Sequence, residues 1–439
     1  MLVHGKLSSL GEIQANKLCL IHGNIQLTYG EFAQQADYLA YRLATQINKG
    51  DKVLVKLANP VLQLLYFFAI LKAGGASILI DQSLTEEVCT ELIKIHKISL
   101  YINESFQLPA ATTRMLPEID GQDVFLGALT SGSTGNPKLI WRDHLSWTSA
   151  FPVQSKVFNI SDSDTIYLTG LLVYTANLNA CLHLLFEGGT VVIARNSMPR
   201  TWKQDIIDRQ VTALFMVPAN YKSLLKVIKT PLTMITSLVT AGAKIDLKTV
   251  QSLVKYFPRA GIFEYYGASE LGHVSYSTLD DLLKHPESVG KAFPGVAIFV
   301  EDNTIWVESP YIAPAYRPRA TVGDLGRLDN EGYLYLLGRK HHVINAGGVK
   351  VFPEQVETVL LQCPGITEAV VSGIDDPLRG QKVCAWIVKN NAFLSSTDIL
   401  NFCRKKMLYH HCPQKIVFVT EIPRNSSGKV DRTRLKNEL

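Results

Sequence analysis

Apolar positions change period repeatedly along this chain. Ile25-Gln26-Leu27-Thr28-Tyr29 alternates as a strand does, and Thr28 then stands where a cap is needed before Phe32, Ala36, Leu39, Ala40 and Leu43, which recur at helical spacing. A strand over 51–57, a helix over 60–72 and a strand over 76–80 complete a β-α-β pattern. The most apolar stretch, Leu64 to Ile80, is broken by Lys72, Gly74 and Gly75, so it predicts a buried helix followed by a strand rather than a membrane span. Further strands are expected at 165–168, 190–194, 214–218 and 237–243, with a helix ending at Gly188-Gly189. Strands alternating with helices give an α/β fold, a mostly parallel sheet with both faces covered.

A length of 439 residues predicts two or three domains. With 47% hydrophobic and 19% charged residues the composition is that of a globular protein, and a formal charge of +5 without dense arginine or lysine runs argues against nucleic acid as a partner. Seven scattered cysteines without C-x-x-C spacing suit a reducing compartment, and Met1 to Lys17 shows no apolar targeting core, so a soluble cytoplasmic protein is expected.

One stretch has no use in a core. Thr130-Ser131-Gly132-Ser133-Thr134-Gly135-Asn136-Pro137-Lys138 packs four hydroxyls, two glycines and a lysine into nine residues, directly after the apolar run Val124 to Leu129. Free N–H groups, hydroxyls and an ammonium are the donors that hold phosphate oxygens. The stretch reads as a phosphate clamp, with a polar surface turn as the alternative. It has neither the Walker spacing nor that of a nucleophile elbow, which sets aside a hydrolase of that kind.

The loop resembles the signature loop of the adenylate-forming superfamily, which comprises acyl-CoA synthetases, peptide-synthetase adenylation domains and luciferases. Further motifs follow in family order. Leu27 to Phe32 and Leu71 to Ala76 resemble its early core motifs; Tyr265-Tyr266-Gly267-Ala268-Ser269-Glu270 is similar to Y-G-x-T-E, with serine for threonine; Thr321-Val322-Gly323-Asp324 resembles the T-G-D motif; and Pro423 to Arg432 follows P-x-x-x-x-G-K-x-x-R.

The resemblance implies a large domain, 1–339, of layered mostly parallel sheets with helices, and a small mobile α+β domain, 340–439, swinging at His341. Thr130, Ser131, Gly132, Ser133, Thr134, Gly135 and Lys138 would hold ATP phosphates. Gly242 and Ala243 would line adenine and the acyl group, Tyr266 and Gly267 would pack on adenine, Ser269 would touch a phosphate and Glu270 would bind Mg²⁺. Asp324 and Arg339 would meet the ribose. Lys429, with Glu270 and Thr130, would act in adenylation, and Gly347-Gly348 would line the thiol tunnel. The acid would sit among Val173, Thr175, Val217, Ala241, Gly242 and Gly272; Thr175 stands where peptide-synthetase domains place an aspartate for an amino group, which favours a fatty or aryl acid.

The implied activity is an AMP-forming acid–thiol ligation with a small carboxylic acid, ATP and Mg²⁺. CoA is the expected acceptor; a standalone adenylation enzyme that loads an acyl carrier protein is the alternative. A luciferase-type oxidoreductase and a degenerate nucleotide-binding regulator are the other classes on this scaffold.

Overall fold

A computed structural model describes residues 1–110, 115–131, 137–346, 349–377, 380–424 and 430–437, with side chains at all of these except 131, 137, 341 and 433. The chain forms two compact units, one of residues 1–298, 307–320 and 330–334, the other of 299–306, 321–329 and 335–439.

The first unit holds two sheets. The larger runs Lys291–Ala292, Gly272–Ser277, Gly261–Ala268, Ser237–Ala241, Ala213–Phe215, Thr165–Leu168, Thr190–Ile193, Leu18–His22, Ile25–Thr28. Its interior pairs, from Gly261–Ala268 to Leu18–His22, are parallel, and the strands outside them pair antiparallel. The smaller sheet runs Leu100–Asn103, Lys52–Lys56, Ala76–Leu79, Val124–Ser131, Pro137–Asp143, parallel except for its last pair.

Period-two alternation sorts the side chains into layers. Val53 and Val55 enter one core and Leu54 a different one; Ala213, Phe215 and Val239 enter the first core while Leu214 and Leu238 face away. Helices Tyr29–Leu43, Pro60–Lys72 and Thr175–Glu187 fill that first core, between the two sheets. Helices Pro199–Asp208, Pro218–Leu225 and Leu247–Tyr256 cover the outer face of the large sheet, and Glu86–His96 that of the small one.

Local chemistry explains where these helices start. Thr28 and Glu31 form a reciprocal capping box, and Asn59 accepts from the N–H groups of Val61 and Leu62 ahead of Pro60. Pro60–Lys72 is apolar nearly all round, as a helix between two sheets must be. Its two buried polar side chains are satisfied: Gln63 donates to the Leu57 carbonyl at 2.6 Å and Lys72 pairs with Asp37. The strand expected over 214–218 stops at Phe215, because Pro218 opens a helix for which Val217 is the cap.

The second unit centres on the antiparallel hairpin Ile366–Asp376 and Gly380–Lys389, flanked by Ile344–Ala346, Val349–Val351 and a parallel Lys415–Phe418. Val371, Val383 and Ala385 face one core, lined by helices Pro353–Leu361 and Ser396–Lys406, whereas Val370, Cys384 and Trp386 face another with Ile422 and Leu435. All seven cysteines are buried free thiols. Among the described residues no helix is long and apolar enough to cross a membrane.

Candidate active site

The strand Val124–Ser131 runs into the Ser/Gly loop and Pro137–Asp143 runs out of it, paired antiparallel with Thr130 opposite Lys138. Thr130 Oγ1 donates to the Lys138 carbonyl at 3.2 Å. Gly132, Ser133, Thr134 and Gly135 lie outside the described residues, as do Gly347, Gly348 and Lys429. Lys138 Nζ donates to Tyr316 Oη at 2.8 Å, and this bond, with the charge of Glu270 acting in the same direction, holds its pKa above the ordinary lysine value.

Two alternations further along the strand, Arg142 turns into the protein and is 1% exposed. Its Nη1 donates to the carbonyls of Ser269 at 2.9 Å and Glu270 at 3.5 Å, and its Nη2 to those of Tyr311 at 2.5 Å and Ser146 at 3.2 Å. Burial pushes its pKa down to about 9, against the opposing influence of Asp143 and Glu270, so the guanidinium stays charged at neutral pH. Asp143 pairs with Arg317 at 2.9 Å and accepts from the Ser146 N–H. Arg142, Asp143, Ser146, Tyr311 and Arg317 do not emerge from the motif reading. The available signal was a charged side chain at 142 directly after the apolar run Leu139-Ile140-Trp141.

Arg142 thereby fixes the Ser269-Glu270 turn, whose Glu270 carbonyl also accepts from the Ala313 N–H at 2.9 Å. Thr175, at the start of helix Thr175–Glu187, reaches the same turn: its Oγ1 lies 3.0 Å from Ser269 Oγ. Tyr266 is half-buried on the strand Gly261–Ala268. Gly267 cannot carry a side chain, since a Cβ there would sit 2.3 Å from the Gly272 carbonyl across the strand pair. Gly242 has φ +85°, and a Cβ there would meet only Val217 at 3.8 Å, so the turn that follows Ala241 has open space in front of it. Ala243 is exposed beside it, Ala241 is buried, Val217 is 39% exposed and Val173 packs half-buried on the first core.

The second unit brings Asp324 and Arg339 together. Asp324, 6% exposed, opens the strand Asp324–Leu328, Arg339 ends Leu334–Arg339, and Arg339 Nε lies 3.0 Å from Asp324 Oδ1. The Lys340 N–H donates to the Gly323 carbonyl at 2.9 Å, so the chain entering the short 3₁₀ turn Lys340–His342 is tied to the same loop. On either side of residues 425–429, Arg424 and Val430 form an antiparallel bridge, and Arg432 donates to the Val371 carbonyl and to Glu357.

Layered parallel sheets, a strand-loop-strand rich in hydroxyls and an anchored Ser-Glu turn define a nucleotide-dependent enzyme of the adenylate-forming class. The chain belongs to the AMP-binding enzyme family: that family's sequence pattern matches residues 11–119 and 103–316, and the pattern of the AMP-binding enzyme C-terminal domain matches 355–429. It is 29% identical to the uncharacterized acyl–CoA ligase YhfT of Bacillus subtilis, over 98% of this chain and 97% of the relative. It is 24% identical to the 2-succinylbenzoate–CoA ligase of Lactococcus lactis, over 93% and 95%. The fold matches that of o-succinylbenzoate CoA synthetase from Bacillus subtilis in complex with its acyl-adenylate intermediate, with a TM-score of 0.88 at 22% identity, covering 98% of this chain and 97% of that one.

The donor set suits a magnesium-bound polyphosphate. Glu270 offers hard carboxylate oxygens near the Lys138 ammonium, whose pKa it raises, with the hydroxyls of Thr130 and Tyr316 on the same strand pair and its neighbour.

Proposed function

We propose that this enzyme joins a small carboxylic acid to CoA with cleavage of ATP to AMP and pyrophosphate. The observation that carries the proposal is the anchoring of the Ser269-Glu270 turn by Arg142, from the strand that also presents Lys138. Membership of the AMP-binding enzyme family and the CoA-ligase relatives support it, and those relatives favour CoA over a carrier-protein phosphopantetheine as acceptor.

In the first half-reaction an oxygen of the acid attacks the α-phosphorus, the bond to the bridging oxygen of pyrophosphate breaks, and acyl-AMP results. Thr130 to Lys138 hold the phosphates, Lys138 as a charged donor positioned by Tyr316. Mg²⁺ held by Glu270 would neutralise charge on the phosphate oxygens. Tyr266 and the turn at Gly242-Ala243 accommodate adenine, while Asp324 accepts from the ribose hydroxyls with Arg339 beside it. Lys429 stabilises the transferring group. In the second half-reaction the domain 340–439 turns about His341 and presents Gly347-Gly348 along the path of the thiol. The thiol sulfur attacks the acyl carbon and gives up its proton, the bond from that carbon to the oxygen bridging to phosphorus breaks, and AMP leaves with that bond's electron pair.

Acid-dependent exchange of labelled pyrophosphate into ATP, measured without CoA, tests the first step. Exchange that requires both an acid and Mg²⁺ and is lost in Glu270→Ala is expected. Exchange indifferent to the acid, or unaffected by the substitution, overturns the proposal.

A further inference from the structure

The positive charge of this chain is concentrated in one segment. Between Val217 and Ala260 stand six lysines, one arginine and a single acid, Asp246, an excess larger than the +5 of the whole chain, so the remainder is slightly acidic. Folding gathers the segment onto one face. Helices Pro218–Leu225 and Leu247–Tyr256 follow neighbouring parallel strands and pack side by side on the outer face of the large sheet. Lys222 of the first pairs with Asp246, the cap of the second, at 2.8 Å, and the Leu232 N–H donates to the Tyr256 carbonyl at 2.8 Å.

Burial divides the side chains of this pair. Tyr221, Leu224, Ile228, Val250, Leu253 and Phe257 pack towards the sheet, which leaves Lys222, Lys226, Lys229, Lys248, Lys255 and Arg259 exposed. Among the described residues only Lys222 of these six has an ion-pair partner, while the seventh cation, Lys244, is paired with Glu264. Leu247 and Val254, two helical turns apart and 37% and 39% exposed, each directly precede one of the exposed lysines. The flanking helices do not extend the charge: residues 199–209 hold three cations and two acids, and residues 279–287 one lysine and three acids, so the basic face has edges.

Going beyond the ligase reading and independent of it, we propose that this face docks the protein onto the surface of an anionic lipid bilayer. Structured protein interfaces deplete lysine and favour arginine and aromatic rings, and single-stranded nucleic acid is held by stacking aromatics. Here five exposed lysines stand against one arginine, and among the described residues no aromatic side chain between 217 and 260 is exposed. Ammonium groups on flexible stems meet a fluid layer of phosphate headgroups without needing a fixed partner geometry, and the aliphatic residues beside them suit the boundary between headgroups and acyl chains.

Co-sedimentation of the full-length protein with vesicles tests this, using phosphatidylcholine alone and phosphatidylcholine with about one third phosphatidylglycerol. At low salt, binding to the anionic vesicles at least about tenfold tighter than to the neutral ones is expected, with release as added salt screens the charges. The triple variant Lys226→Glu, Lys229→Glu, Lys255→Glu is expected to lose about tenfold or more of that affinity at an unchanged thermal midpoint, and the corresponding triple glutamine variant, which introduces no new charge, to lose less. Wild-type protein that stays in solution with both vesicles, or binds both equally, overturns the inference, and so does sedimentation unaffected by either triple variant. Retention on immobilised RNA without vesicle binding overturns it in favour of nucleic acid. Because the wild-type comparison is decisive alone, a variant that fails to fold does not rescue it, and none of these readouts depends on the ligase activity.

Discussion

Arg142 donates a hydrogen bond to the carbonyl of Ser269 at 2.9 Å, across 127 residues of chain. The strand that leaves the Ser/Gly loop therefore holds the turn that carries Glu270, and two motifs distant in sequence are tied together.

Replacing Arg142 tests that coupling. Arg142→Leu leaves the carbonyls of Ser269, Tyr311 and Ser146 buried without their donor and Asp143 short of a charge, a loss on the order of 3–5 kcal/mol. Arg142→Lys keeps the charge but not the fork that reaches both sides of the site, so a folded protein with pyrophosphate exchange reduced by about tenfold or more is expected. Thermal unfolding and exchange rates check both; a Leu variant unchanged in midpoint and rate contradicts the role.

Asp324 is proposed to read the ribose. Asp324→Ala is expected to raise the KM for ATP and to abolish discrimination against 2′-deoxy-ATP, because a carboxylate that accepts from a vicinal diol loses its partner in either case. Steady-state kinetics with both nucleotides measure this, and discrimination that survives the substitution removes Asp324 from the nucleotide site.

Acid should weaken the fold before the carboxylates titrate. Burial, followed by neighbouring positive charge, lowers the pKa of His4 from 6.5 to about 4 and of His144 to about 3, and burial lowers His183 and His273 to about 3. These depressed values mean that the unfolded chain takes up protons first as pH falls. Stability is therefore complete above 6.5, the unfolded value, and is lost progressively as the pH drops towards the folded values. Each group steepens the loss by up to about 1.4 kcal/mol per pH unit. Unfolding curves between about pH 7 and about pH 5 should show it, and a flat profile over that window contradicts neutral burial of these rings.

Much of this was legible in the sequence where the signal is local. Alternation at 25–28, the cap at Thr28 and the buried helix after Asn59 rest on neighbours within a turn or a strand, so the layered α/β fold and its β-α-β opening could be read directly. The hydroxyl-rich stretch Thr130 to Lys138 and the Tyr-Gly-x-Ser-Glu motif are similarly compact, and the family they suggested is the one the chain belongs to. Arg142 was not legible, because its meaning lies in the carbonyls of Ser269 and Tyr311, more than a hundred residues away in the chain. The strand end at 215 was missed for a nearer reason: Pro218 preorganises a helix start that hydrophobicity alone conceals.

Lys429 is proposed for one half-reaction only. Lys429→Ala should suppress acyl-AMP formation by about a hundredfold or more while sparing conversion of supplied acyl-AMP to thioester. Stopped assays of each step separate the two, and equal loss in both removes the assigned role.

The most direct measurement is mass spectrometry of the products formed from ATP, Mg²⁺, CoA and a panel of fatty, aryl and hydroxylated acids. An acid–CoA ligase yields AMP, pyrophosphate and one acyl-CoA in equal amounts, dependent on a particular acid. Acyl-AMP that accumulates untouched in the presence of CoA, or ADP in place of AMP, contradicts it.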